Sequence, residues 1–176
     1  EPHGPDTYIG VGHAYPWGGL YGGHIVAQAL RAAAHTVDPE FSVHSLRAYF
    51  IQRGDNKQTV RYEVDRIRDG KSFTTRRVIA IQHGKAIFNL QASFQIHEEG
   101  LEHHIQMPSD LPKAESLPDF KERMTPYKDK MGDWFDHPRP IDLRYIDSDP
   151  ISRKKKVSAG QKLWMRADGE LPDDPV

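Results

Sequence analysis

Apolar and small residues repeat at helical spacing through residues 18–37. Two glycine pairs, Gly18-Gly19 and Gly22-Gly23, open this stretch, and Asp38-Pro39 ends it because proline cannot continue a helix. The repeating positions between these ends are all apolar or small: Leu20, Ile25, Val26, Ala29, Leu30 and Ala33. The pattern predicts a slender helix that a sheet encloses. Its glycine-rich start is either a simple turn into a core helix or a place where free N–H groups meet an anion or a polarised carbonyl.

Four later segments alternate apolar and polar residues, which is typical of strands with one buried face. They cover residues 41–52, 58–68, 72–82 and 86–96, and a shorter β-prone run, residues 6–14, precedes the helix. In the first of the four, we expect His44, Leu46, Ala48 and Phe50 on one face and Val43 on the other. Asp69-Gly70 and His83-Gly84 are turn signals between the later strands.

This order of elements predicts an α+β fold of one architecture. Strands of about ten residues are longer than usual and must twist and coil. A coiled antiparallel sheet with one apolar face covers a narrow, alanine-rich helix well. The expected architecture is therefore a hotdog fold, in which a long antiparallel sheet wraps around a central helix.

The composition changes after Gly100. We predict a hotdog domain over residues 1–100, a linker over residues 101–140 that is rich in proline, histidine and charge, and the start of a second, truncated hotdog domain over residues 141–176. The linker contains one possible short helix, around residues 119–131. The basic run Arg153-Lys154-Lys155-Lys156 is interpreted as a solvated loop, with phosphate binding as the alternative.

Overall composition limits the classes of function. A formal charge of −1 and a pI near 6.9 give no electrostatic case for nucleic acid or an anionic membrane surface. No apolar run approaches the ~20 residues that span a bilayer. There are no cysteines, which excludes disulfides and thiolate chemistry and fits a cytoplasmic protein.

Several motifs give a resemblance to a known family. They are GGLYGGHIVAQAL at residues 18–30, VHSLRAYFIQRGD at 43–55, VDRIRDGKSFTTRRVIAIQHGKAIFNLQASFQ at 64–95 and LWMRADGELPDD at 163–174. In this combination and order the chain resembles the type II acyl-CoA thioesterases, TesB-like proteins of bacteria and peroxisomes that are built as a double hotdog. The resemblance makes this chain the first half of such a protein.

The resemblance implies hydrolysis of an acyl-CoA thioester by an activated water, with no cofactor and no metal. The family's catalytic Asp, Ser or Thr, and Gln belong to the second hotdog, and we expect them beyond Val176. No catalytic residue is therefore assigned within this chain. The expected partners are the acyl-CoA substrate and either a second copy, giving a homo-oligomer, or the missing C-terminal hotdog. Neither nucleic acid nor a membrane is expected as a partner.

Candidate substrate-binding residues come from two regions. Gly22, Gly23 and His24 can hold a thioester oxygen at the start of the helix. Arg47 and Arg77 can meet the phosphates of CoA; the neighbouring Arg76 must point to the opposite face of its strand, so at most one of that pair serves a given site.

Three weaker interpretations stay open. His44-Ser45 is either a polar pair near the sheet seam or a nucleophile, Ser45, with a nearby histidine as its base. Gln91 or Ser93 lies on the strand that corresponds to the one carrying the family's Gln in the second hotdog. The chain is also compatible with a non-catalytic acyl- or CoA-binding module. A hotdog dehydratase or hydratase is disfavoured, because His24 has no acidic partner placed at the start of the helix.

Overall fold

The structure is a computed structural model that describes residues 1–13, 18–147, 159–174 and 176. The chain folds as two compact units, the first made of Glu1–Leu101 together with Asp174–Val176 and the second of Glu102–Asp173. The first unit contains one helix and five strands: β1 (Thr7–Gly10), α1 (Gly22–Ala34), β2 (Phe41–Phe50), β3 (Val60–Asp69), β4 (Phe73–Gln82) and β5 (Lys85–Ile96).

The five strands form one antiparallel sheet in the order β1-β3-β4-β5-β2. Strands β3, β4 and β5 follow one another through short turns, and β2 lies beside β5. Among the described residues β2 has a neighbour on one side only, so it forms a free edge of the sheet. All the strands predicted from the alternating pattern are present, with their ends shifted by a few residues.

The core lies between α1 and the inner face of the sheet, the face that carries Tyr62, Val78 and Leu90. On the helix, Ile25, Ala29, Ala32 and Ala33 are buried. Three of these four are alanines, so the backbone of α1 can lie close to the sheet. The α+β hotdog arrangement of one helix against a long antiparallel sheet is confirmed, although Ala27 and Arg31 on the opposite side of α1 are exposed.

A β-bulge at His44 changes which residues of β2 face the core. Val43 lies opposite Phe94, but the next pair is Ser45 opposite Ser93, so one extra residue is accommodated. Val43 therefore shares the inner face with Leu46, Ala48 and Phe50. The expectation that His44 belongs to that face and Val43 to the other was wrong, because an unbroken period of two cannot represent an inserted residue.

A charged side chain is buried in the core beside the end of α1. Arg76 on β4 is 1% exposed and donates hydrogen bonds to the Thr36 hydroxyl at 2.7 Å and to the Thr36 carbonyl at 2.9 Å. It also donates to the Arg68 carbonyl and to a carboxylate oxygen of Asp69. Arg76 thus ties the chain after α1 to strands β3 and β4.

The second unit has short elements: α2 (Phe120–Met124), α3 (Lys128–Met131), β6 (Ile141–Tyr145) and β7 (Leu163–Ala167). Strands β6 and β7 pair with each other as an antiparallel two-stranded sheet. The helix expected near residues 119–131 is split by a 3₁₀ turn, Thr125–Tyr127, because Pro126 has no N–H to donate. No helix within the described residues has both the length and the apolar character needed to cross a membrane.

Candidate substrate-binding site

The first turn of α1 offers backbone donors. In the described part of the chain, the N–H groups of Gly22 and Gly23 have no acceptor, and no acidic residue occupies this turn. A Cβ at Gly22 would lie 3.2 Å from the Phe50 ring, so the glycine permits close packing of helix and strand. These two N–H groups can donate to an oxygen acceptor, and the role of Gly22 and Gly23 in holding a thioester oxygen stays a prediction.

His24 is held by a chain of hydrogen bonds that the sequence did not reveal. The buried Tyr62 hydroxyl donates to Gln28 Oε1 at 2.8 Å, and Gln28 Nε2 donates to the Val11 carbonyl at 3.0 Å. The His24 Nε2 atom lies 2.8 Å from Gln28 Nε2 and 2.9 Å from the Val11 carbonyl oxygen. Burial raises the pKa of Tyr62 well above its usual range, so its hydroxyl stays protonated. The available signal was the i, i+4 spacing of His24 and Gln28, which are polar residues of a helix whose other polar side chain is Arg31.

A cleft of about 210 Å³ opens beside the start of α1. Its lining is mainly apolar and comes from the helix start, the end of β2 and the beginning of β5: Leu20, Ile25, Phe50, Ile51, Gln52, Arg53, Gly54 and Ile87. The Arg53 guanidinium lies at its rim and donates to the Gly18 carbonyl at 2.9 Å. An apolar cleft beside unpaired backbone donors suits an acyl group with a polarised carbonyl.

Arg47 and Arg77 lie on the outer face of the sheet, which is the face turned away from α1. Both stand opposite Gln91, which lies between them on β5. Arg77 forms an ion pair with Asp65 on β3, whereas Arg47 has no partner among the described residues. The structure therefore brings the two arginines into one row but separates them from the first turn of α1 by the thickness of the sheet.

At the bulge of β2, His44 contacts Ser93 and not Ser45, the neighbour with which the sequence suggested a polar pair. The His44 Nε2 atom lies 2.8 Å from the hydroxyl oxygen of Ser93 on β5, and both side chains are on the outer face. Ser45 stands opposite Ser93 in the register but is not the hydrogen-bond partner of His44. The bulge, which the sequence pattern did not show, creates this contact.

The adjacent histidines of the predicted linker, His103 and His104, are both exposed. The Arg153–Lys156 run, interpreted from the sequence as a solvated loop with phosphate binding as the alternative, lies outside the described residues. In the ranges that the structure describes, no three His, Asp or Glu side chains come together in a group suited to a metal ion.

Comparisons with known proteins identify relatives for most of the chain. A family model described as the acyl-CoA thioesterase N-terminal domain matches residues 13–95. Human acyl-coenzyme A thioesterase 8 is 37% identical over 182 residues, which cover 97% of this chain and 57% of that protein. Acyl-CoA thioesterase 2 of Haemophilus influenzae is 32% identical over 159 residues, covering 88% of this chain and 55% of that protein.

Solved structures give the same picture. The acyl-CoA thioesterase II TesB2 of Mycobacterium marinum superposes with a TM-score of 0.75 at 35% identity, covering 99% of this chain and 60% of that one. A protein of unknown function with a hot dog fold from Alicyclobacillus acidocaldarius has a TM-score of 0.70 at 20% identity, a likeness that shows the fold alone. The chain spans 55% to 60% of the length of the three thioesterases named here.

Proposed function

We propose that this chain, which belongs to the TesB-like family of acyl-CoA thioesterases, supplies one hotdog unit of an enzyme that hydrolyses acyl-CoA to a fatty acid and CoA. The observation that carries the proposal is the family match over residues 13–95, which contain α1 and nearly all of strands β2 to β5. In the reaction, water oxygen bonds to the thioester carbonyl carbon. The carbon–sulfur bond then breaks, and the CoA sulfur leaves and takes up a proton.

Within this proposal the chain binds substrate and does not activate water. The N–H groups of Gly22 and Gly23 donate to the thioester carbonyl, and His24 is held beside them through Nε2, which donates to the Val11 carbonyl or accepts from Gln28 according to its tautomer. Arg47 and Arg77 are proposed to contact phosphates of CoA from the outer face. The family resemblance assigns activation of water to an Asp, a Ser or Thr, and a Gln beyond Val176.

We propose that the free edge of β2 pairs with a second hotdog unit. Leu46 and Phe50 face inward, yet they are 43% and 63% exposed, because among the described residues no strand lies beyond β2 in the sheet. An exposed apolar edge strand is a site for strand pairing. The preferred partner is the C-terminal hotdog of a longer protein, for which residues 141–176 would form the start and residues 101–140 the linker. A second copy of this chain is the alternative partner.

Light scattering after size-exclusion chromatography, on this chain alone and mixed with the C-terminal hotdog as a separate chain, tests this pairing. Leu46→Glu is expected to weaken association, because it places a charge in the apolar contact. The matched control is Ile67→Glu, at an apolar residue of β3 that is 52% exposed and distant from that edge. Equal loss of association in both variants, or none in Leu46→Glu, contradicts pairing through β2.

Release of CoA thiol from acyl-CoA esters tests the activity itself. We expect no turnover from the 176-residue chain alone and hydrolysis from an assembly that contains both hotdog units. Turnover by the chain alone would place catalytic residues within it and overturn the assignment beyond Val176. Absence of turnover from the assembly would refute the thioesterase proposal and favour a non-catalytic acyl- or CoA-binding module.

The proposed compartment is the cytoplasm, supported by a sequence without cysteine. One relative carries a different location in its name, the peroxisomal acyl-coenzyme A thioester hydrolase 1 of Saccharomyces cerevisiae, which is 36% identical over 94 residues covering 51% of this chain. Microscopy of the tagged protein in its own cells distinguishes the two compartments. Confinement to peroxisomes would refute the cytoplasmic assignment.

A further inference from the structure

Four polar side chains form a two-by-two block on the outer face, at the free edge of the sheet. Arg47 and Tyr49 on β2 lie directly opposite Gln91 and Asn89 on β5. Within the described residues, none of the four has a hydrogen-bond or ion-pair partner. Arg77, the next residue in the same row, is different because Asp65 already neutralises its charge.

The block has the chemistry of a nucleotide site. The Arg47 guanidinium presents a planar fork of donors that matches phosphate oxygens. Tyr49 is 69% exposed, so its ring is available for stacking on a base. The amides of Asn89 and Gln91 each offer donors and an acceptor, which can pair with the edge of adenine. No acidic residue belongs to the block, so nothing in it repels a phosphate.

The block lies on the same strand as the apolar cleft. Phe50 lines the cleft and Arg47 belongs to the block, and a strand rises about 3.3 Å per residue, so the two are roughly 10 Å apart along β2. Because the cleft opens on the inner side of the sheet and the block lies on the outer face, a flexible arm that joins them must pass around the end of β2 at Phe50. The inner-face residues Leu46 and Phe50 point away from the block, so pairing through the edge of β2 leaves it accessible.

We propose that Arg47, Tyr49, Asn89 and Gln91 bind the phosphoadenosine end of CoA while the apolar cleft receives the acyl thioester. The assignment of the ligand rests on the proposed acyl-CoA function. The nucleotide lies on the outer face beside the edge strand, where one tyrosine and two amides contact it together with the arginine. Arg47 supplies the main charge contact, and Arg77 contributes less because of its ion pair with Asp65.

Calorimetric titration with adenosine 3′-phosphate 5′-diphosphate tests the block without any thioester chemistry. Arg47→Gln is expected to weaken binding about tenfold or more, since a charge-assisted hydrogen bond is lost. Tyr49→Leu is expected to weaken it about tenfold through loss of base stacking. The matched control is Arg61→Gln, at an exposed outer-face arginine of β3 that pairs with Glu63; its affinity should stay within about twofold of the unchanged protein.

Two results would overturn the proposal: no binding of the nucleotide to the unchanged chain, or equal weakening by Arg47→Gln and Arg61→Gln. A second measurement separates this inference from the enzymatic proposal. If the assembled enzyme hydrolyses acyl-CoA and Arg47→Gln leaves the KM unchanged, the block is not the nucleotide site although the activity is correct. If the nucleotide binds through Arg47 but no assembly hydrolyses acyl-CoA, the block stands and the thioesterase proposal fails.

Discussion

Replacing Arg76 with methionine should destabilise the first unit far more than the same change at Arg77. Arg76 is 1% exposed on the inner face, and its guanidinium satisfies the hydroxyl and the carbonyl of Thr36 as well as the carbonyl of Arg68. Methionine fills a similar length but donates no hydrogen bond. Arg76→Met therefore leaves the Thr36 hydroxyl and the Arg68 carbonyl without this donor, whereas the Thr36 carbonyl keeps a hydrogen bond from Arg66 at 3.2 Å.

The magnitude follows from those two acceptors. A buried polar group that loses its partner costs about 1–3 kcal/mol. Taking the lower end for each, the free energy of unfolding should fall by about 2 kcal/mol. The ion pair with Asp69 adds little to this value, because the Asp69 side chain is 61% exposed and the pair is screened by water.

Urea unfolding followed by circular dichroism measures the change in the free energy of unfolding. Arg77→Met is the matched control, since it removes a neighbouring arginine whose ion pair with Asp65 is on the outer face and about half exposed. The control should lose less than about 1 kcal/mol. If the two variants differ by less than about 1 kcal/mol, Arg76 does not hold the end of α1 in the way its hydrogen bonds indicate.

Three further predictions concern other contacts of the first unit. Gly10→Ala should lower the free energy of unfolding by about 1–3 kcal/mol in urea titrations, because the new Cβ would lie 2.9 Å from the buried Tyr62 ring. The control Gly100→Ala should leave it unchanged, since nothing lies within 4 Å of the new Cβ. Equal effects of the two substitutions would contradict the packing at Gly10. The hydrogen bond from Arg66 holds the pKa of Asp6 below its ordinary 3.8, so the stabilisation it gives is present above pH 3.8 and is lost as pH falls through the lower native pKa. The Asp6→Asn variant should therefore be less stable than the unchanged protein at pH 6, and this difference in stability should shrink as the pH is lowered. A difference that stays constant from pH 6 to pH 2 in thermal melts would refute this. Tyr62→Phe should cost about 1 kcal/mol in urea titrations, as the amide oxygen of the helix glutamine loses its donor, and an unchanged value would show that this bond contributes nothing.

Local patterns along the sequence determined most of the secondary structure. Alternation over residues 58–68 placed Val60, Tyr62 and Val64 on one face, and all three are buried. The spacing of Ile25, Ala29 and Ala33 predicted α1 and its buried side. Such patterns are reliable here because each depends only on neighbours within one strand or one helix, and burying an apolar face rewards the whole pattern at once.

The candidate site depended on contacts that no local pattern contains. The sequence showed that Arg76 and Arg77 point to opposite faces, but only the packing of β4 against α1 decided which one is buried. The bulge at His44 turned Val43 inward and brought the histidine to Ser93. The pairing of Arg47 with Gln91 joins residues that are distant in sequence, through a register between β2 and β5. Sequence periodicity therefore shows which residues of a strand share a face. Long-range packing decides where a bulge is inserted, how neighbouring strands are registered and which face points inward, because it minimises exposed apolar surface for the sheet as a whole.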